Sequence, residues 1–568
     1  MKLENNYEIA KNLADLVDEE IINVLKSKES FCVEAGAGSG KTYSLLNVIN
    51  WLEKNKNWSN RSIACITYTN VAVDEILKRI SNTSPIIPST IHTFAWDAIK
   101  GYKKELIGSL EELGILKNFS EEEIKTITNV NYTLGVRYVE DSVMYLHHDD
   151  VINLFAWCLD RPKFRQLLSH RYSLILIDEY QDSAKILMDK FLKYFVNQKQ
   201  GPQFGLFGDH WQTIYSLDSV CGEVKSGNLI EIKKKSNFRS QTVIVELLNK
   251  IRPDLPQVSA INENNGEIKV ILTNEYRGIR NLKGYYKDDL PDAMLQSCID
   301  NTLKILKTNG WMDTEEERTK VFMLTHKGLS KQQGYENLLS LVGDGLKNCT
   351  NPYVNLFDQY IEPIYSALNE NNVKKLFEIL GIRRQPLVTR NSKLNWKKFY
   401  LELKRSRDKT IYDVIKCVDD SKIIPLPESV LTEYNDYNSS EEKSKNDSIY
   451  QINYSEVVKA LDFLNENSIY ATNHGVKGAE YDNVLMVMGK GWNNYRFEKI
   501  LYKDPERLSE KDYDAYIRNR NLFYVGCSRA KKRLALLITI PVQQEFVDYL
   551  QKIFGEDNIY EYSQLVEG

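Results

Sequence analysis

Residues 35–42 read AGAGSGKT and follow directly on the apolar stretch Phe31–Glu34. A buried strand that runs into a glycine-rich turn and then into a helix is an arrangement that holds phosphate. Gly36, Gly38 and Gly40 let the backbone close around an anion with its N–H groups turned inward. The helix expected to begin at Lys41 adds the positive end of its dipole. Lys41 is placed to reach the β- and γ-phosphates of a nucleoside triphosphate, and the Thr42 hydroxyl to ligate Mg2+. The strict pattern has glycine at its first position, where this chain has Ala35. The three later glycines carry the turn.

A second stretch, SLILIDEYQD at 173–182, completes the chemistry. Its continuous apolar run reads as a buried strand, and Asp178 and Glu179 emerge at the C-terminal end, the edge at which open α/β sheets bind ligands. Asp178 is expected to hold Mg2+, and Glu179 to polarise the water that attacks the γ-phosphate.

Outward from these two stretches, strands and helices alternate. SIACITYT, FGLFGD, KVFMLTH, NVLMVMG and LALLITI read as strands, and NVAVDEILKRI as a helix. Such alternation predicts an α/β fold with parallel sheets covered on both faces. The 568 residues exceed what one core sustains and point to three or four domains. Eight scattered cysteines without a CxxC pair exclude a thiolate metal cluster and argue against a disulfide framework. No apolar run reaches the ~20 residues that span a bilayer, and the N-terminus has no secretion signal. The expected location is the cytoplasm. A net charge of −4 leaves nucleic-acid binding open, because phosphate contacts are local.

Together these residues resemble the UvrD/Rep/PcrA branch of superfamily 1 helicases, and the resemblance continues in order along most of the chain. ITYTNVAVDEIL (66–77) and STIHTF (89–94) are similar to segments that touch the nucleic-acid backbone; Thr69 and Asn70 would lie near it. GDHWQTIY (208–215) implies Gln212 as a γ-phosphate sensor. NFRS (237–240) implies Arg239 on the γ-phosphate and Phe238 stacked on adenine. TNHGVKGAEYDNVLM (472–486) implies Glu480 on the ribose, and LFYVGCSRAKKRL (522–534) implies Arg529 as the arginine finger. The implied cofactors are ATP and Mg2+. With Lys41, Asp178 and Glu179 these give the catalytic set Lys41, Asp178, Glu179, Gln212, Arg239 and Arg529. The implied nucleotide contacts are Ala35, Gly36, Ala37, Gly38, Ser39, Gly40, Lys41, Thr42, Tyr43, Phe238 and Glu480, with Thr42 and Asp178 on the metal.

The resemblance also implies the architecture: two RecA-like P-loop domains, each with a mainly helical insertion. The first domain would comprise 1–96 and 147–229 around an insertion at 97–146. The second would comprise 230–330 and 456–568 around an insertion at 331–455, with a loose segment YNDYNSSEEKSKNDS inside it.

The chain departs from the pattern at three places. Relatives carry a Gln about 15 residues before the loop, where counting back reaches Glu20; a carboxylate cannot donate to adenine N7, which puts the choice of ATP over GTP in question. Relatives have Arg after GKT, where Tyr43 stands and can still stack. Leu217 and Asp218 occupy positions of a DNA-stacking aromatic residue and an Arg. Tyr215, Phe94, Trp96 and His92 are alternative gripping residues, each weighed against a packing role.

HHDD at 147–150 reads as a helix start capped by Asp149 or Asp150, with a metal cluster as the alternative. Three basic stretches (233–235, 383–384 and 394–407) read as solvated faces, with the aromatic residues Trp396, Phe399 and Tyr400 keeping a nucleic-acid surface open. The expected function is a DNA translocase or helicase, 3′ to 5′ by resemblance, acting on single-stranded or partly duplex DNA. The chain is also similar to compact UvrD-like proteins of Gabija-type anti-phage systems, which implies an OLD-family partner nuclease. The alternative is a regulatory NTPase that switches a protein assembly without processive unwinding.

Overall fold

The computed structural model describes residues 5–55, 61–133, 137–214, 218–263, 265–311, 318–323, 326–346, 351–380, 389–439, 448–465, 468–472, 478–490 and 495–567. Two six-stranded parallel sheets organise the chain. The first comprises β1 (Phe31–Ala35), β2 (Ser62–Thr67), β3 (Ile86–Thr90), β4 (Tyr172–Asp178), β5 (Gln203–Gly208) and β6 (Ile230–Lys234), in the order β3-β2-β4-β5-β1-β6. The second comprises β7 (Glu267–Leu272), β8 (Thr319–Met323), β9 (Tyr470–Thr472), β10 (Tyr481–Met488), β11 (Ala530–Ile538) and β12 (Ile559–Glu561), in the order β9-β8-β10-β11-β7-β12.

The central strands β1 and β5 are buried at every position, as a sheet covered on both faces requires. Helices α1 (Asn6–Ser27) and α2 (Lys41–Lys54) bury Val17, Ile21, Leu45 and Ile49 on one face of the first sheet. α3 (Asn70–Leu77) and α4 (Ile91–Ile99) follow β2 and β3, and α4 lies on the opposite face with Phe94 and Ala95 in the core. In register, Phe31 of β1 faces Gly205 of β5 and Ile230 of β6.

Three expectations need correction. Residues 230–234 belong to the first sheet, because β6 pairs with β1 from Phe31↔Ile230 to Ala35↔Lys234; the change of sheet falls after Lys234. The insertion at 97–146 is not simply helical. It carries a three-stranded sheet of Asn129–Tyr132, Tyr138–Glu140 and Val143–Leu146 beside the short helices Lys103–Ser109 and Glu121–Thr126. These strands are three or four residues long, too short to register as a pattern in sequence. The expected loose segment at 434–448 begins inside a helix, Glu428–Ser439; residues 440–447 lie outside the described residues.

The insertion at 331–455 is helical throughout its described residues and packs on one face of the second sheet. Its Leu338, Phe357, Phe399 and Val414 share a continuous core with Val321, Leu485 and Leu537 of the sheet. Trp396 and Phe399 are buried here, and Tyr400 stacks on Tyr365, so the 394–407 run turns its aromatic residues inward. Residues 383 and 384 lie outside the described residues. No helix among the described residues is long and apolar enough to cross a membrane.

Candidate active site

β1 ends at Ala35, and α2 begins at Lys41 with Gly40 at its N-cap. Gly38 (φ +74°) and Gly40 (φ +80°) hold the left-handed conformations that close the loop. At Gly38 there is a second demand: an added Cβ would stand 2.7 Å from Arg239 Cβ and 2.8 Å from Asn237 Oδ1. The loop therefore lies directly against the segment that leads into the second sheet. Three of its carbonyls are taken by that segment: Asn237 Nδ2 donates to Ala37 O (2.9 Å), Phe238 N to Gly38 O (2.8 Å) and Ser236 Oγ to Ser39 O (3.3 Å). From further along the chain, the buried Tyr524 hydroxyl accepts from Ala37 N at 3.1 Å.

Lys41 Nζ lies 2.5 Å from Glu179 Oε1 and 3.8 Å from Asp178 Oδ1. Burial alone would make the ammonium easier to deprotonate, but Glu179 and Asp178 outweigh it and raise its pKa. β4 delivers both carboxylates to this point. Glu179 sits at φ +50°, a conformation a non-glycine residue adopts at a cost of order 1 kcal/mol or more, and Gln181 Nε2 donates to its other oxygen at 2.6 Å. Thr42 is exposed at the start of α2. Two carboxylates and the exposed Thr42 are hard oxygen donors, and with the Lys41 ammonium the cluster keeps a net negative charge, which suits Mg2+. Ser39 is buried, and its hydroxyl has no hydrogen-bond partner among the described residues, a second sign of a loop shaped around a polar guest.

The opposite wall comes from the second unit. Arg529 is 1% exposed, and its Nη2 donates to Gln212 Oε1 at 2.9 Å. Its other donors reach the carbonyls Ala479 O and Val525 O and the Ser528 hydroxyl, each at 3.2 Å. Among the described residues no carboxylate forms an ion pair with it. Burial, reinforced by Arg239, pulls its pKa down to about 9. A buried cation so placed is stabilised by an incoming anion.

Arg239 and Glu480, expected on the γ-phosphate and the ribose, are paired with each other: Arg239 Nε lies 2.8 Å from Glu480 Oε2. Lys531 Nζ approaches the other Glu480 oxygen at 3.0 Å. Burial works against ionisation of Glu480, but Lys531 and Arg239 prevail and hold its carboxyl below the usual range. Phe238 and Tyr43 are 38% and 63% exposed, and both reach the surroundings of Gly40. They flank the mouth of the loop, where a base would enter. Glu20 is exposed, whereas Asp18 on the same helix accepts from Ser44 Oγ and from Asn47 Nδ2 (2.7 Å), and lies 3.6 Å from the buried Lys234 ammonium.

Away from the cleft, Thr69 caps α3 by accepting from Ala72 N at 3.3 Å, and Tyr68 and Val71 beside it are exposed. Phe94 is buried against Phe155 and Tyr172, and Trp96 packs on Tyr132; both are packing residues. His92 is half-buried beside His148. Asp218 is exposed, and Tyr215 and Leu217 lie outside the described residues. In HHDD the cap is His147, not either aspartate: its Nδ1 accepts from Asp149 N, while Asp150 returns to His147 N. Asp150 is fully buried in a two-pronged pair with Arg137 at 2.6 and 2.7 Å. That pairing occupies the carboxylate and leaves His147, His148 and Asp149 as the remaining metal-capable group.

Sequence reasoning missed the clasp around the loop: Asn237, Tyr524 and, beneath Gln212, Asp209 and Arg252. Asn237 and Tyr524 stand inside quoted motifs, yet their hydrogen bonds join residues 200 and 487 positions apart.

The AAA domain family matches residues 18–218. Over 94% of its length the chain is 25% identical to the Gabija protein GajB of Bacillus cereus (strain HuB5-5), covering 96% of that protein. It is 22% identical to the ATP-dependent DNA helicase Rep of Buchnera aphidicola subsp. Schizaphis graminum, covering 92% of each chain. It is 27% identical to Rep of Escherichia coli (strain K12), over 40% of this chain and 41% of that one.

Proposed function

We propose that this chain, a UvrD-like ATP-hydrolysing DNA helicase of superfamily 1, closes its two α/β units on ATP and uses the cycle to travel 3′ to 5′ along single-stranded DNA. The observation that carries this is Arg529. It is a buried guanidinium from the second unit that donates to Gln212 of the first and, among the described residues, forms no ion pair with a carboxylate.

The roles follow from the pairings. The phosphates of ATP draw the Lys41 ammonium away from Glu179, which frees that carboxylate to take a proton from the attacking water. Arg239 exchanges Glu480 for the γ-phosphate, and Arg529, still held by Gln212, turns its remaining protons toward it, so that two guanidinium groups neutralise charge in the transition state. Thr42 and Asp178 would hold Mg2+, which would supply neutralisation of phosphate charge. Glu480, once released, is positioned for the ribose, and Phe238 with Tyr43 for the base. Because both arginines come from the second unit, ATP favours the closed arrangement and hydrolysis lets the units part.

Likeness to a Gabija protein over nearly the whole chain supports a place in antiviral defence, with a nuclease partner of the OLD type to cut the DNA. Asp218, an exposed acid beside the expected path of the strand, favours a second reading in which hydrolysis switches a protein assembly without moving DNA.

Strand displacement separates the two. On a short duplex with a single-stranded 3′ tail, ATP should drive unwinding, and a 5′ tail should support little. Unwinding from neither tail, with ATP hydrolysis intact, would establish the switch and remove the motor.

A further inference from the structure

Beneath Gln212 lies a buried polar chain that crosses between the two units twice. Asp209 follows β5 and is fully buried. Its Oδ2 accepts from Gln212 Nε2 at 2.8 Å, and its Oδ1 from Arg252 Nη1 at 2.5 Å and Trp211 N at 3.0 Å. Arg252 comes from the second unit, at the C-terminal end of the helix Thr242–Ile251, and is 2% exposed. Its guanidinium also stands 3.6 Å from Glu34 of β1 and lies over the rings of Trp211 and Tyr524. At the far end, Gln212 Oε1 accepts from Arg529.

An amide has a donating and an accepting end, and which end faces Arg529 decides the interaction. Asp209 accepts from the NH2 group and so turns the oxygen toward Arg529. If that carboxylate rotated, the amide could present its NH2 group to a guanidinium, donor against donor. Arg252 opposes that rotation by occupying the other carboxylate oxygen together with Trp211 N. A group whose orientation is fixed by a supporting hydrogen bond needs no reordering when the phosphate arrives.

We propose that Arg252 is the positioning residue of the γ-phosphate sensor: through Asp209 it sets the amide of Gln212, and it ties that setting to the helix Thr242–Ile251 of the second unit. The inference rests on the reading of Gln212 and Arg529 given above. Arg239 precedes the same helix, so the residue expected on the γ-phosphate and the residue that supports its sensor flank one element. Loss of Arg252 should blind the site to the γ-phosphate while leaving the diphosphate-binding loop intact.

The test is equilibrium binding of fluorescent ADP and of a non-hydrolysable ATP analogue, with Mg2+, to the full chain. The variants are Arg252→Lys, Gln212→Ala and the pair combined, with Asp209→Asn as a second route should Arg252→Lys fail to fold. Arg252→Lys should weaken the triphosphate analogue roughly tenfold, the size of one lost hydrogen bond to a charged group. ADP affinity should stay within about twofold of the parent. Gln212→Ala should do the same, and the combined variant should lose no more than either alone. Equal losses for ADP and triphosphate would show a structural role only. Additive losses would show that Arg252 does not act through Gln212. Either result, or no loss at all, overturns the proposal. Nucleotide binding that survives Lys41→Ala unchanged would instead sink the underlying site.

Discussion

Lys41 has two carboxylates where it should have phosphates, and this exchange gives the residue-scale predictions. Lys41→Ala should abolish nucleotide binding, as read by loss of fluorescence on adding labelled ATP. Glu179→Gln keeps the shape and the hydrogen bond to Gln181 but removes the base. It should bind ATP normally and hydrolyse it ~10²–10⁴-fold more slowly in a steady-state phosphate-release assay. Arg529→Lys should lower the catalytic rate ~10³-fold or more, the scale of a lost arginine finger, with ADP affinity little changed. A lysine cannot span Gln212, Ala479 and Val525 as the guanidinium does. The identities of these residues were legible in the sequence, because each stands in a short motif with its own chemistry. Their partners were not. Asp209 and Arg252 lie 43 positions apart, and Arg239 and Glu480 lie 241 apart. Only the closed fold brings them within reach, and neither Asp209 nor Arg252 carries a local signal of the contact.

At the scale of elements, the phosphate loop packs closely against the NFRS segment. Gly38→Ala forces a Cβ at φ +74° into Arg239 and Asn237. Either the loop or the NFRS segment must then move, and both nucleotide affinity and hydrolysis should fall together while the far-ultraviolet spectrum is kept. The helix His148–Leu159 offers a test without chemistry. Asp150→Ala removes the capping return to His147 and two hydrogen bonds to Arg137. It should cost about 2 kcal/mol, measured by denaturant unfolding, because hydrogen bonds to charged groups contribute ~1.5–3 kcal/mol. β1, β2, β4, β5, β8, β10 and β11 were legible as apolar runs and α2 as the helix after the glycines, whereas β3, β7, β9 and β12 are short or broken by polar residues and were not singled out. The assignment of β6 to the first sheet was not. Its burial alternates along an edge, and nothing in IEIKK names which neighbour it pairs with.

For the whole molecule, the two α/β halves were foreshadowed by alternating strands and helices. The way the second insertion seats was not. Sequence boundaries at 331 and 455 describe a separable module, yet its helices share one core with the second sheet. Deleting 331–455 should expose Val321, Leu485 and Leu537 and yield an insoluble chain. In a calorimetric scan the insertion and the second sheet should melt in a single transition, since elements joined by one hydrophobic core unfold cooperatively. The central claim, that the cleft between the two units hydrolyses ATP in answer to DNA, meets its most direct test in the rate of ATP hydrolysis with and without single-stranded DNA, with Lys41→Ala as the blank. Strong stimulation by DNA, lost in the variant, is the predicted result. Hydrolysis that is indifferent to DNA, or that persists in Lys41→Ala, would contradict it.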